Sequence, residues 1–183
     1  MSEFEIMKGD NGYYNLKVTG ARLIFKNFSG KGSEYNAEGS KNVCLVVDNE
    51  QIYDILLNDG WRFRTQKRAD GTYADPFEEL DNGRVAFPYT QLRLNYASQR
   101  PPKVFLHTSA NAHGDLLNES SVSELDYAYI TDAKLVINPS HWEIRGESGT
   151  KGYINIMHVT IEDDPFAIII NIEIEIGRAV QQE

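Results

Sequence analysis

The 183 residues include one cysteine, Cys44, so no internal disulfide is available to staple a fold. Only four histidines occur, His107, His113, His141 and His158, and none has the spacing of a structural zinc site. Redox and metal chemistry are not expected. No apolar run approaches the roughly 20 residues of a membrane-spanning helix, and Glu3 and Glu5 stand where a secretory leader would be basic and then apolar. A soluble intracellular protein without a membrane partner is expected. The chain also lacks internal repeats, low-complexity tracts and heptads. At 41% hydrophobic and 25% charged residues it has ordinary globular composition, with length enough for one cored domain and too little for two.

Positive charge is scarce too, 18 Lys+Arg against 27 Asp+Glu for a net charge of -9. The deficit is uneven. Residues 1–105 carry 14 of each sign, whereas residues 106–183 carry 4 basic and 13 acidic. Screening confines electrostatics to about 10 Å at 0.1 M salt, so basic residues clustered on particular strands still make a positive groove.

What is present is alternation. Apolar residues recur mostly with period two, in short runs parted by Gly, Asn, Asp and Pro, which is the pattern of a β-rich protein. A long strand over Tyr13 to Phe28 changes phase at Gly20. It places Leu16, Val18, Leu23 and Phe25 toward the core and Lys17, Arg22 and Lys26 outward. Residues Asn27 to Ser40 read as a loop carrying Lys31 and Tyr35. Lys41 leads into a buried strand over Asn42 to Val47. Asp48 and Gln51 have capping-box spacing, and Ile52, Ile55 and Leu56 predict one helix over Asn49 to Asp59. Trp61, Phe63 and Thr65 then alternate with Arg62, Arg64 and Gln66, and Lys67 and Arg68 extend the basic end.

Ala69 to Arg84 reads as a long hairpin connection or flap. Phe87 to Tyr96 is a strand with Leu92 and Leu94 on one side and Tyr89, Gln91 and Arg93 on the other. Val104 to Thr108 is a short strand after Pro101 and Pro102. Asn118 to Tyr127 is a second short helix that buries Val122 and Leu125. Tyr129 to Ile137 and Tyr153 to Ile161 form a hairpin joined by an ordered loop across Pro139, Trp142, Gly146 and Gly149. In the tail, isoleucines at 168, 170, 172, 174 and 176 alternate with other residues, the pattern of a strand seeking a sheet edge. The fold class expected is all-β or β-rich, an OB-like, partly open barrel with one or two short helices and long loops. Residues 1–164 form the domain and 165–183 a strand-forming extension.

Catalysis finds no support in the residues. Glu162, Asp163 and Asp164 read as a solvated acidic turn, because neighbouring strand residues point to opposite faces. Gly30-Lys31 and the Gly146 to Gly152 segment both fail the phosphate-loop pattern. No enzyme activity and no cofactor are expected. Binding of single-stranded nucleic acid needs cations for phosphates and aromatic faces for unstacked bases. The chain offers both. The candidate contacts are Lys17, Arg22, Lys26, Lys31, Tyr35, Lys41, Arg62, Arg64, Lys67, Tyr89, Arg93, Tyr96 and Tyr153. Against each stands a plain structural role, a solvated Arg or a packed Tyr. Trp61 and Trp142 are assigned to the core rather than to stacking.

The order of four segments carries a further signal: KNFSGKGSEYNAEGSKNVCLVVD from Lys26, LLNDGW ending at Trp61, PPKVFL from Pro101, and LDYAYITDAKLVINPSHWEIRGESGTKGYINIMHVTIED from Leu125. Together they resemble a family of single-stranded DNA-binding proteins encoded by tailed bacteriophages, over roughly residues 14–164. The matching positions are the Asn27-Phe28-Ser29-Gly30 turn, Asn36, Gly39, Asn42, Gly60-Trp61, Pro102-Lys103, Asp126, Pro139, Trp142, Gly146, Gly149 and Tyr153. The resemblance implies an OB-like fold and a sequence-independent coat for single strands in phage DNA replication and recombination, in the cytoplasm of the infected bacterial host. It also implies no cofactor, self-association, and contacts with other phage replication or recombination proteins. The acidic tip Glu162 to Phe166 resembles the terminal tail of such coat proteins but is internal here, so Phe166 to Ile176 is expected to pair with its own sheet or a second subunit. Two other readings stay open: a phage virion or assembly protein, and an inhibitor of a host defence nuclease.

Overall fold

The computed structural model describes residues 2–162; the predicted pairing of Phe166 to Ile176 and the 165–183 extension lie outside the described residues. The chain begins with β1 (Glu3–Lys8), antiparallel to β2 (Tyr14–Thr19). The sequence pattern does not predict β1. Gly20, at φ 64°, breaks the long first strand, and β3 (Leu23–Asn27) resumes after the corner. β4 (Asn42–Val46) pairs with β3 and is buried throughout. The single α-helix among the described residues, α1 (Glu50–Asn58), follows. Its cap is Asn49, whose Oδ1 accepts from the Ile52 N–H at 3.0 Å, and not the Asp48–Gln51 box expected from spacing.

After α1 the chain alternates as predicted, with Trp61 and Thr65 buried and Arg62, Arg64 and Gln66 exposed, but forms only isolated bridges. The expected flap is a small folded unit, β5 (Glu78–Glu79) against β6 (Val85–Ala86), held by Arg68 on Glu78 and by Phe77 edge-on to Tyr53 and Phe87. β7 (Tyr89–Arg93) pairs with β4. β8 (Lys103–His107) and a strand missed from sequence, β9 (Asp115–Leu117), form an antiparallel pair. The second predicted helix is a 3₁₀ segment, Ser121–Asp126, burying Val122 and Leu125 as expected.

The largest difference lies in the last hairpin. β10 (Ile130–Ile144) and β11 (Glu147–Ile161) are paired from end to end, where an ordered loop was expected between Ile137 and Tyr153. Arg145 (φ 53°) and Gly146 (φ 81°) close it as a two-residue turn, the left-handed pair that matches strand twist. Residues 138–153 thus form an arm rather than a loop.

The sheet order is β1-β2-β10-β11-β7-β4-β3, with β8 and then β9 attached along the second half of β11. β11 carries β10 on one side and, on the other, β7 at Gly152–Tyr153 and β8 from Ile156 to Thr160, both parallel. This nine-stranded sheet is not closed into a barrel, in keeping with the OB-like, β-rich class. One side of it buries Leu16, Val18, Leu45, Leu92, Leu135, Ile137 and Met157, in one cluster with Trp61. Each large apolar side chain so buried contributes about 1.5–3 kcal/mol. Polar satisfaction accompanies the packing. Trp61 Nε1 donates to Tyr14 Oη (2.8 Å), which donates to Asp59 at the end of α1 (2.5 Å). His141 Nε2 on the arm donates to the same carboxylate at 2.9 Å, so one acid ties helix, sheet and arm together. Asp126 accepts from the Phe28 and Ser29 N–H groups, fixing the turn after β3.

Candidate nucleic-acid interface

Residues directly opposite in a ladder share a face, and residues two apart in a strand share it as well. On the face turned away from the core, the register therefore lines up Asn42, Arg93, Tyr153 and Asn138 across four strands. One step along β4 and β7 lies Cys44 with Gln91, and beyond it Val46 with Tyr89. In the arm the same face continues through Lys151 opposite Ser140 and Trp142 opposite Gly149. Arg64 joins it by exchanging both backbone hydrogen bonds with Tyr89 (2.9 Å each).

Rings and cations interleave along this face. The Arg62 guanidinium carbon stands 5.0 Å from the centroid of the Trp142 ring, and the Lys151 ammonium 6.0 Å from it. Phe25 meets Tyr89 edge-on at 5.4 Å. Among the described residues no carboxylate is ion-paired with Arg62, Arg64, Arg93 or Lys151; the pairs present are Arg68 with Asp75 and Glu78, and His141 with Asp59. Burial raises the Tyr89 pKa above its ordinary value while the neighbouring Arg64 opposes the rise, and burial pushes the Cys44 thiol up to about 11. Cys44 is therefore an inert part of the floor.

Of the predicted contacts, Arg62, Arg64, Tyr89, Arg93 and Tyr153 come together here. Lys31 and Tyr35 sit in the 28–41 loop, Tyr35 80% exposed. Asn36 Oδ1, accepting from Asn42 and Gln91, holds that loop over the edge of the same face. Arg22 (5.5 Å from the Phe87 ring) and Lys67 (5.6 Å from the Tyr73 ring) flank it. Lys17 lies farther off on β2, opposite Val136. Three candidates are turned to other work. Lys26 Nζ donates to the Leu125 and Ala128 carbonyls at 2.8 and 2.6 Å, and burial lowers its pKa. Lys41 Nζ donates to the Phe28 carbonyl at 2.9 Å. Tyr96 packs against the core with its hydroxyl buried, which raises its pKa to about 12.

Two expectations for aromatic residues are corrected. Phe25 does not face the core: a bulge between Ile24 and Asn27 holds it at φ 51° and leaves its ring 66% exposed beside Tyr89. Trp61 is core, 2% exposed, but Trp142 is not; it is half-buried on the arm. Reading 138–152 as loop concealed Trp142 and Lys151. Carrying the alternation of Tyr153 backwards through Lys151 and Gly149 exposes both. Among the described residues no three His, Cys, Asp or Glu side chains cluster to hold a metal ion.

A family model described as "Putative phage ssDNA-binding domain" matches residues 9–174. The chain belongs to this family. Its function is accordingly the binding of single-stranded DNA. Solved structures of the single-stranded DNA-binding protein from bacteriophage Enc34 are similar to it. The one in complex with ssDNA is 15% identical with a TM-score of 0.47, covering 90% of this chain and 98% of that one. The C-terminal truncation of the same protein is 13% identical with a TM-score of 0.44 over the same shares. No curated protein matches.

Proposed function

We propose that the protein coats single-stranded DNA without regard to base sequence, in phage replication and recombination, and that the strand lies along the face bearing Trp142, Arg62, Tyr153, Arg93, Arg64 and Tyr89. The observation that supports this path is the interleaving of partly exposed rings with cations unpaired among the described residues. Rings accept any base by stacking, and guanidinium groups neutralise phosphates, so neither group selects a sequence. Net charge does not oppose this, because screening confines electrostatics to about 10 Å and Arg62, Arg64, Arg93 and Lys151 lie along the path, with Glu147 at its far end, two residues from Gly149.

In this reading the protein binds and does not catalyse, and it acts in the cytoplasm of the infected host. Among the described residues no helix is long and apolar enough to cross a membrane. Self-association through the 165–183 extension belongs to the same proposal; an unchanged oligomeric mass after truncation at Asp164 would count against it. The test of the interface is fluorescence anisotropy of labelled oligo-dT and its duplex at two salt concentrations. Salt-sensitive binding of the single strand is expected, and it should fall when Arg62 and Arg64 are both changed to Ala. Binding that is unchanged in that variant removes this face from the strand's path.

A further inference from the structure

The outward face does not end at Tyr153. On β10 the alternation runs on from Asn138 through Val136 to Lys134, and the ladders extend each position sideways. Val136 stands between Lys17 and Ile156, and Ile156 beside Lys103. Lys134 stands opposite His158, and His158 beside Phe105. Here the rings of Phe105 and His158 lie parallel, 11° apart, with centroids 4.8 Å apart. The exposed Lys103 and Lys134 flank this pair and have no ion pair among the described residues. The face thus repeats, on a different part of the sheet, the combination of ring and free cation found around Trp142.

The stacked pair is rigidly held. His107 Nδ1 lies 2.9 Å from the Ala112 carbonyl, an acceptor only, so that nitrogen carries the proton. In the neutral imidazole His107 Nε2 then accepts, and His158 Nδ1 donates to it at 2.7 Å. The loop closes over His107 so tightly that a Cβ on Gly114 would meet the imidazole at 2.7 Å. The fold therefore fixes the plane of His158 against Phe105, as a stacking platform requires. From Trp142 to Lys134 is eight residues of one strand, about 26 Å. Between the two patches lies a cleft of about 340 Å³ lined by Tyr153, Asn138 and Arg100 among others. Beyond Lys134 the face ends at Asp132, opposite Thr160.

We infer that Lys103, Phe105, Lys134 and His158 form a second contact patch for the same DNA strand, reached through the cleft beside Tyr153, so that the occupied length of DNA exceeds what the arm face alone holds. This rests on the proposed path along that face. The patch engages only a strand long enough to span the cleft, and its contribution grows with DNA length.

The test uses the full chain with Lys103→Ala and Lys134→Ala combined, both exposed positions, against oligo-dT of about 4 and about 16 nucleotides, the ends of the range bound by one OB unit. Wild-type and variant should bind the short oligonucleotide alike. On the long one the variant should lose about fivefold or more in affinity, and its salt slope should flatten by about 1.4, at about 0.7 per phosphate contact on single strands. Phe105→Leu should lower affinity for the long strand with the slope intact. Equal affinity of wild-type and double variant at both lengths overturns the second patch, as does an equal loss at both lengths. Failure of the wild-type protein to bind either oligonucleotide strikes instead at the interface on the arm face.

Discussion

The indole of Trp142 lies across the backbone of Gly149, its partner on the opposite strand of the arm, so closely that a Cβ there would meet ring carbon Cζ2 at 2.8 Å. The ring is half-buried, and the atom met is the far part of a side chain and not backbone. Gly149→Ala should therefore push the indole off its seat at little cost in stability, under about 1 kcal/mol, while weakening oligo-dT binding toward the level of Trp142→Ala. That level is set by the loss of one stacking platform, about 1–3 kcal/mol. Anisotropy titrations beside urea unfolding check this; wild-type affinity in both variants would show that the indole takes no part in binding.

Gly152 makes the opposite case. A Cβ at this position would meet Trp61 at 2.6 Å and Leu92 at 2.8 Å, both fully enclosed. Neither neighbour has room to give. Gly152→Ala should destabilise the fold by about 1–3 kcal/mol through overpacking, seen as a lower urea midpoint with an unchanged m-value.

The strands and their faces were legible because burial imposes period two on them: Leu92 and Leu94 against Tyr89, Gln91 and Arg93 read the same way in sequence and in structure. What misled were residues whose usual meaning is punctuation. Pro139, Gly146 and Gly149 suggested a loop, yet Pro139 sits in the ladder opposite Gly152, Gly146 serves a two-residue turn, and Gly149 clears space for a ring. Lys26 was legible as an outward cation and Lys41 as a candidate contact, but their ammonium groups bond carbonyls brought near only by tertiary folding. β1 lacked a flanking signal, since EFEIMK alternates too briefly to stand apart from a tail.

Cations on the face and cations tied to carbonyls should separate by experiment. Arg62→Ala with Arg64→Ala should flatten the salt slope of oligo-dT binding by about 1.4 and leave unfolding nearly unchanged. Lys26→Ala should do the reverse. It strands the Leu125 and Ala128 carbonyls and should cost about 1–3 kcal/mol in urea unfolding, with the salt slope intact. A flattened slope in the Lys26 variant would return that residue to the interface.

The enclosed hydroxyl of Tyr14 gives a third stability test. It accepts from Trp61 Nε1 and donates to Asp59, and burial together with that carboxylate raises its pKa well above the ordinary value. The phenol therefore stays protonated at any working pH. Tyr14→Phe removes an acceptor from a buried indole N–H and a donor from Asp59, and should cost about 1–3 kcal/mol. His141→Ala, at the exposed end of the same carboxylate, should cost less than about 1 kcal/mol.

His158 sets the acid limb of stability. Its pKa is lowered from the ordinary 6.5, first by burial, then by the facing His107 on β8 and Lys134 on β10. The unfolded chain therefore takes up a proton as pH falls through 6.5 while the folded chain still resists it. The contribution of His158 is fully present above 6.5 and is lost as pH falls from there toward the folded value. Urea unfolding at about pH 7.5 and about pH 5.5 should thus show a larger loss for wild-type protein than for His158→Gln, which has no proton to take up. Equal losses in the two proteins would place the acid sensitivity elsewhere.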